Sequence, residues 1–406
     1  MQERTFHLFK VGLAIFSLVL LAVAIAAGEE KMLYSFTPND GHPPDGDLAR
    51  DAAGNLFGTT SLGGQYHHGT VYQLTPDGLG GWTEQVLYSF APGSGGSSPL
   101  GGVILDDAGN LYGTTCSGGS GGNGTVFLLS PDGDGNWTEQ ILYDFAQSGQ
   151  GACPNGLIRD AAGNLYGTTI MGGSNDNGTA YELEADGNGT WTHKILHNFG
   201  NGHDGYYPVA RMTWDSSGNL FGTTESGGSH PNCGTVFKLT ANANGRWTEE
   251  VIHNFGFEDD GQSPEGGLVR DAAGNFYGTT AHGGSFNRGV AFRLTPKPGG
   301  GSTERVLHHF GYADDGQDPW AGLVWDDAGH LYGTTLYGGS HGYGTVFVLT
   351  PAMDGGSGER VLHHFGDGRD GQNPETTLIW DSNGNLYGTA SYGGVHLYGA
   401  VFEVVP

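Results

Sequence analysis

"DAAGNLYGTT" occupies Asp160–Thr169, and near-copies begin at Asp51, Asp106, Asp215, Asp271, Asp326 and Asp381. A ten-residue phrase returning roughly every 55 residues describes an array of like units, which overrides the two or three domains that length alone suggests. Within the phrase, the leading Asp can accept hydrogen bonds from turn amides and the Gly supplies a positive φ, so "DAAGN" reads as a hairpin link. Seven copies argue for turn chemistry and against catalysis, since an active site needs one constellation.

Working outward from Asp271, four strand-like runs surround the link. They are "PEGGLVRD" (Pro264–Asp271), "NFYGTT" (Asn275–Thr280), "GVAFRLTP" (Gly289–Pro296) and "ERVLHHF" (Glu304–Phe310). Gly, Pro, Asn or Asp separates them, and none has helical period. Each repeat is therefore expected to be four antiparallel strands, called first to fourth below. The last repeat stops after three, at Pro406, while "KMLYSF" (Lys31–Phe36) matches the missing fourth. Counting that segment, the fourth-strand Phe occurs at Phe36, Phe90, Phe145, Phe199, Phe255, Phe310 and Phe365. The pattern predicts an all-β, seven-bladed β-propeller closed by its N-terminal strand, spanning residues 27–406 as a single domain.

The N-terminus differs. Arg4 and Lys10 precede the apolar run "VGLAIFSLVLLAVAIAA", in which Ala24 and Ala26 form a small-residue cleavage pattern. Residues 1–26 read as a secretory signal peptide, which predicts a secreted or periplasmic protein with no membrane association after cleavage. An uncleaved anchor is the alternative, although the run is short for a span. The net charge of −27 opposes binding to nucleic acid. Three cysteines are too few for a disulfide scaffold. Cys116 and Cys153 lie in neighbouring loops and are expected to pair in an oxidising compartment, leaving Cys233 free.

The unit P-x-G-G-L-V-x-D-A-A-G-N-L-Y-G-T-T…G-G…G-T-V-F-x-L-T-P resembles the Gly-rich tandem repeat called GloVer, found in bacterial exported "choice-of-anchor" proteins. The resemblance covers nearly all of the mature chain. It implies an exported, repetitive protein and brings no catalytic residues with it. Its C-terminal anchors have no counterpart before Pro406, so the resemblance does not carry surface attachment over to this chain. The first two strands also resemble other "GLxxD…GNLY" propellers such as the NHL type, which bears on fold alone.

Several residues are candidates for a site. Asp204, Asp260, Asp315 and Asp370, with Asp40, precede a Gly in the loops from fourth to first strands. They read either as a carboxylate ring for Ca²⁺ or a cationic or sugar ligand, or as Asp-Gly turns. "PDGDGNWTE" (Pro131–Glu139) opens like a calcium loop but has Trp137 where Gly is required, and also resembles a degraded sialidase Asp-box. His197, His253, His308 and His363 share their position with Tyr34, Tyr88 and Tyr143, which argues for a half-buried aromatic with a polar tip; imidazoles of adjacent blades should stand too far apart for a tetrahedral metal site. Trp214, Trp325 and Trp380 end first strands where Arg50, Arg159 and Arg270 end others; they either bind a ligand in the channel or fill it.

H-E-x-x-H and P-loop motifs are missing. The expected function is thus non-enzymatic: binding or scaffolding outside the cell, as a monomer, with a carbohydrate or protein partner and no obligatory cofactor. The alternative is a propeller lyase or hydrolase acting on a carbohydrate or small molecule.

Overall fold

The computed structural model describes residues 28–93, 95–256, 259–351 and 357–406. The leader assigned to residues 1–26 lies outside them. Seven four-stranded antiparallel sheets follow one another along the chain. Blade 1 holds Ala49–Arg50, Leu56–Thr60, Thr70–Pro76 and Trp82–Ser89, and blades 2 to 6 repeat that order. In blade 7 the outermost strand is Glu29–Ser35, which pairs antiparallel with Ala400–Val405. The chain thus forms a seven-bladed propeller closed by its own N-terminus.

Each letter of the repeated phrase has a structural task. Asp106 Oδ1 accepts the Asn110 amide at 2.9 Å and Oδ2 accepts the Asn110 side chain at 3.0 Å, closing the link between first and second strands. The same bonds recur at Asp51, Asp160, Asp215, Asp271 and Asp381, and His330 replaces the Asn beside Asp326. Gly113 of the second strand lies flat under Phe127; a Cβ there would stand 2.4 Å from the ring. The first Thr reaches the next blade, as where Thr59 donates to the Gly101 carbonyl at 3.0 Å. The second Thr bonds its partner on the third strand, Thr60 to Thr70 at 2.8 Å and Thr115 to Thr125 at 2.9 Å.

Blades are joined by a ring of aromatic pairs. Every fourth-strand Phe is fully buried. Each meets a third-strand ring of the next blade: Phe90 on Phe127, Phe145 on Tyr181, Phe199 on Phe237, Phe255 on Phe292, Phe310 on Phe347, Phe365 on Phe402, and Phe36 on Tyr72, with centroids 4.9 to 5.3 Å apart. Tilted and edge-on contacts of this kind add about 0.5–1.5 kcal/mol each beyond area burial.

The first strands depart from the sequence expectation. Outside blade 3, where the strand runs Ala152–Arg159, only two residues are paired in each. The reason is crowding at the axis, where first strands of adjacent blades touch through backbone. A Cβ on Gly102 would lie 2.1 Å from the Asp47 carbonyl oxygen.

Candidate functional site

The loops from second to third and from fourth to first strands share one face and bond to one another. In blades 5 to 7 they form two-residue ribbons, such as Gly261–Gln262 against His282–Gly283. In blades 1, 2 and 4 they form single bridges, such as His42 with Leu62. Cys116, in the second-to-third loop of blade 2, is disulfide-bonded to Cys153, at the start of the long first strand of blade 3 rather than in the loop before it, and Cys233 is buried and unbonded.

This face surrounds the mouth of the central channel. The residue after the Pro that precedes each first strand comes to the rim: Asp45, Leu100, Asn155, Val209, Glu265, Trp320 and Glu375 line a single opening of about 610 Å³. Tyr337 and Tyr392, from the second-to-third loops of blades 6 and 7, complete the wall beside Trp320. Deeper, a cavity of about 400 Å³ continues past Asp47 and Arg211. These two face each other across the channel at 3.8 Å, and the Thr377 amide donates to Asp47 at 2.8 Å.

The mouth is acidic but not fully ionised. Burial raises Glu265 to about 7, and Glu225 and Glu375 add to the shift. Burial likewise raises Asp45, which lies against Glu375. Ser391 donates to Glu375, and Asn155 donates to the Val209 carbonyl. The Trp320 indole nitrogen is buried with no acceptor among the described residues. The opening therefore presents aromatic surface on the blade 6–7 side, with carboxyls around it.

The tryptophans singled out from sequence lie elsewhere. Trp214 packs edge-on against Tyr166 of the preceding blade at 4.9 Å, Trp325 against Tyr277 at 4.6 Å, and Trp380 against Tyr332 at 4.9 Å. Arg159 stacks over Tyr112 at 5.6 Å. Arg50 and Arg270 curl over their own turns, near Gly54 and Gly274. This position therefore sits between blades at the far end of the first strand; only Trp214 also borders the deeper cavity. The informative tryptophan was Trp320. Its signal in the sequence was a bulky aromatic in a slot, after a repeated Pro, that other blades fill with Asp, Leu, Asn, Val or Glu.

The Asp ring and the histidines, treated separately in the sequence, meet in space. His197 Nε2 lies 2.8 Å from Asp204, His308 Nε2 2.9 Å from Asp315, and His363 Nε2 3.1 Å from Asp370. The carboxylates also accept turn amides, Asp204 from Gly200 and Asn201, and Asp370 from Gly366. Asp260 accepts the Gly261 amide and stands 3.8 Å from His253. Asp40 takes the Tyr34 hydroxyl at 2.7 Å in the same geometry. Side chains of Asp204, Asp315 and Asp370 are less than a tenth exposed. They do not project together as a surface carboxylate ring. Each histidine ring also packs edge-on against the Phe two residues later, at 4.7 to 4.8 Å.

These features define an all-β propeller with a ligand-sized, acidic and aromatic channel mouth. The chain belongs to the family of the Gloeobacter/Verrucomicrobia repeat, whose pattern matches residues 15–232, 120–305 and 211–406. No curated protein matches it in sequence. Among solved structures it is similar to the extracellular domain of a one-component system protein, BT4673, from B. thetaiotaomicron, at 11% identity and a TM-score of 0.56, over 93% of this chain and 40% of that one. It is also similar to PorZ, a surface component of the type-IX secretion system of Porphyromonas gingivalis, at 15% identity and a TM-score of 0.57, over 89% and 46%. The chain thus spans less than half the length of either, and the likeness concerns fold. Among the described residues no helix is long and apolar enough to cross a membrane.

Proposed function

We propose that this protein is an exported binding propeller that holds a carbohydrate ligand in its channel mouth. One observation carries the reading: the seven side chains that follow the Pro before each first strand differ in type and converge on one opening, with Trp320, Tyr337 and Tyr392 on one side. An aromatic wall stacks against the apolar face of a sugar ring, while carboxyls and Asn155 exchange hydrogen bonds with hydroxyls. The acidic rim disfavours anionic glycans and suits neutral or amino sugars. Export is supported by the leader-like N-terminus, by the disulfide, and by similar folds in extracellular and surface proteins.

A second reading, a glycan hydrolase or lyase, draws on one feature. Carboxyls kept protonated near neutral pH, as at Glu265, are the form in which a general acid works.

The test is a glycan array followed by calorimetry on the hits, with Trp320→Ala, Glu265→Gln and a distant control, Leu79→Ser. Leu79 is exposed on a hairpin of the opposite face. Loss of at least tenfold in affinity for Trp320→Ala, with Leu79→Ser unchanged, is expected. Equal binding by all three would remove the mouth as the site. Cleavage of any bound glycan that Glu265→Gln abolishes would establish the enzymatic reading.

A further inference from the structure

The fourth strands carry a second repeated feature, which the channel mouth does not use. Near the start of this strand stand Glu30, Glu84, Glu139, Glu249, Glu304 and Glu359, with His193 at the same place in blade 3. Each faces the Tyr or His of the preceding blade. Tyr88 donates to Glu139 at 2.7 Å, and Tyr143 stacks on His193 at 4.4 Å. At four successive interfaces, from blades 3 and 4 to blades 6 and 7, the facing group is a His already beside an Asp.

We propose that the interfaces between blades 4 and 5 and between blades 5 and 6 are binding sites for divalent transition cations of the zinc class, held by His253, Asp260 and Glu304 in the first and by His308, Asp315 and Glu359 in the second. In each triad, one ligand atom from every residue lies within 4.8 Å of the others. Small inward shifts of side chains close that spacing around an ion with bonds of about 2.0–2.2 Å. One imidazole nitrogen with two carboxylates favours Zn²⁺ or a neighbouring transition ion, whereas Ca²⁺ takes six to eight oxygens. Three protein ligands leave a fourth position for water.

A further observation points the same way. The Oε1 atoms of Glu304 and Glu359, like those of the other fourth-strand glutamates, are shut from solvent with no hydrogen-bond partner among the described residues, and here the Nε2 atom of His253 is unpartnered as well. An unpartnered buried carboxylate oxygen is costly, and a cation satisfies it. The same three residue types recur at the flanking interfaces, as His197 with Asp204 and Glu249 and as His363 with Asp370 and Glu30. At the seam between blades 7 and 1, Tyr34 takes the place of the His, keeps Asp40 and Glu84, and bonds Asp40 through its own hydroxyl. An ion here would tie the loop and outer strand of one blade to the outer strand of the next, so its readable effect is on ring stability as well as on uptake.

The competing account is a proton in place of the metal. Burial and nearby carboxylates raise Glu359 to about 7 and push Glu304 up beside Asp260, so each glutamate can sit neutral. The experiment separates them. The exported full chain, stripped with a chelator, is titrated calorimetrically with ZnCl₂ and separately with CaCl₂, and its Tm is followed. The expected result is saturable uptake of at least two Zn²⁺ per chain at micromolar concentration, a Tm rise of a few degrees, and no response to Ca²⁺. The double variant His253→Gln, His308→Gln should lose two equivalents. Absence of saturable Zn²⁺ uptake, uptake unchanged in the double variant, or a response to Ca²⁺ alone would each overturn the proposal. Should that variant fail to fold, Co²⁺ loading of the unaltered protein decides the matter. Two histidine ring signals shifted by the paramagnetic ion, and restored by Zn²⁺, support the sites; unshifted signals sink them.

Discussion

Phe36 meets Tyr72 edge-on at 4.9 Å, across the seam where the last blade touches the first. Phe36 follows the strand that completes blade 7, and Tyr72 belongs to the third strand of blade 1. The contact is the same as at the other six interfaces, so the seam is packed as tightly as the rest of the ring. Both rings are fully buried.

Removing residues 28–36 should therefore do more than shorten the chain. It leaves Ala400–Val405 as an open sheet edge and takes one aromatic pair from the ring, and open edges template association. Size-exclusion chromatography should show oligomers, and calorimetry a lower Tm. The milder Phe36→Ala leaves the edge covered and should cost about 3–5 kcal/mol by cavity formation. A monomeric deletion with unchanged Tm would show that the ring holds without its N-terminal strand.

The disulfide offers a second test. Cys116 and Cys153 join the second-to-third loop of blade 2 to the start of the first strand of blade 3, at a sequence separation of 37. Closing a loop of that size stabilises by roughly 2–4 kcal/mol in the chain-entropy account. Mass spectrometry of the exported protein should find one bridge and one free thiol. Cys116→Ser with Cys153→Ser should lower Tm and leave glycan binding intact, since neither cysteine lines the mouth. Three free thiols would contradict the pairing.

Most of the fold could be read directly because its determinants are local and repeated. Asp106 and Asn110 close the same turn seven times with small variations, and the Phe at the end of each fourth strand counts the blades. The first strands were over-read, because pairing there is limited by backbone contact at the axis, as between Gly102 and Asp47, which no single repeat encodes. The mouth was missed for a related reason. Trp320, Glu265 and Asp45 are far apart in sequence and come together only once the ring closes. Trp325 and Trp380 drew attention as repeated aromatics, yet in the ring they pack edge-on against Tyr277 and Tyr332 of the preceding blades. The His–Asp pairs were equally hidden, since the two residues are seven apart across a turn.

Axial crowding makes a third prediction. Gly102→Ala places a Cβ 2.1 Å from a backbone carbonyl of the neighbouring blade, which cannot swing aside as a side chain would. Gly109→Ala meets no atom within 4 Å but must hold a φ of +84°. The first should cost well over the 1–3 kcal/mol typical of overpacking, the second about 1 kcal/mol from the left-handed backbone. Urea denaturation of the two variants side by side gives the comparison. Equal losses would mean that the blades can slide apart at the axis without penalty.

Stability should also depend on pH in an unusual direction. Burial raises Glu30, Glu84, Glu249, Glu265 and Glu359 from a usual 4.5 to about 7. Between these values the folded chain holds protons that the unfolded chain has released, so stability falls as pH rises through that window. Asp106, Asp271 and Asp381 behave oppositely. Burial works against their charged form, but bonds from the turn amides, side-chain amides and tyrosine hydroxyls outweigh it and hold them below 3.8. Their contribution is present above that value and is lost as pH falls through the depressed one. The two trends place the stability maximum at about pH 4–5, with Tm declining toward pH 8. Scanning calorimetry in chelator-containing buffers measures the profile. In Glu265→Gln with Glu359→Gln, two of the groups responsible can no longer ionise, so Tm should rise relative to the unaltered chain at pH 8 and stay level with it at pH 4.5. A Tm that climbs from pH 5 to pH 8, or a double variant that shifts equally at both ends, would mean that these glutamates are ionised in the folded ring and that some partner, a cation included, keeps them so.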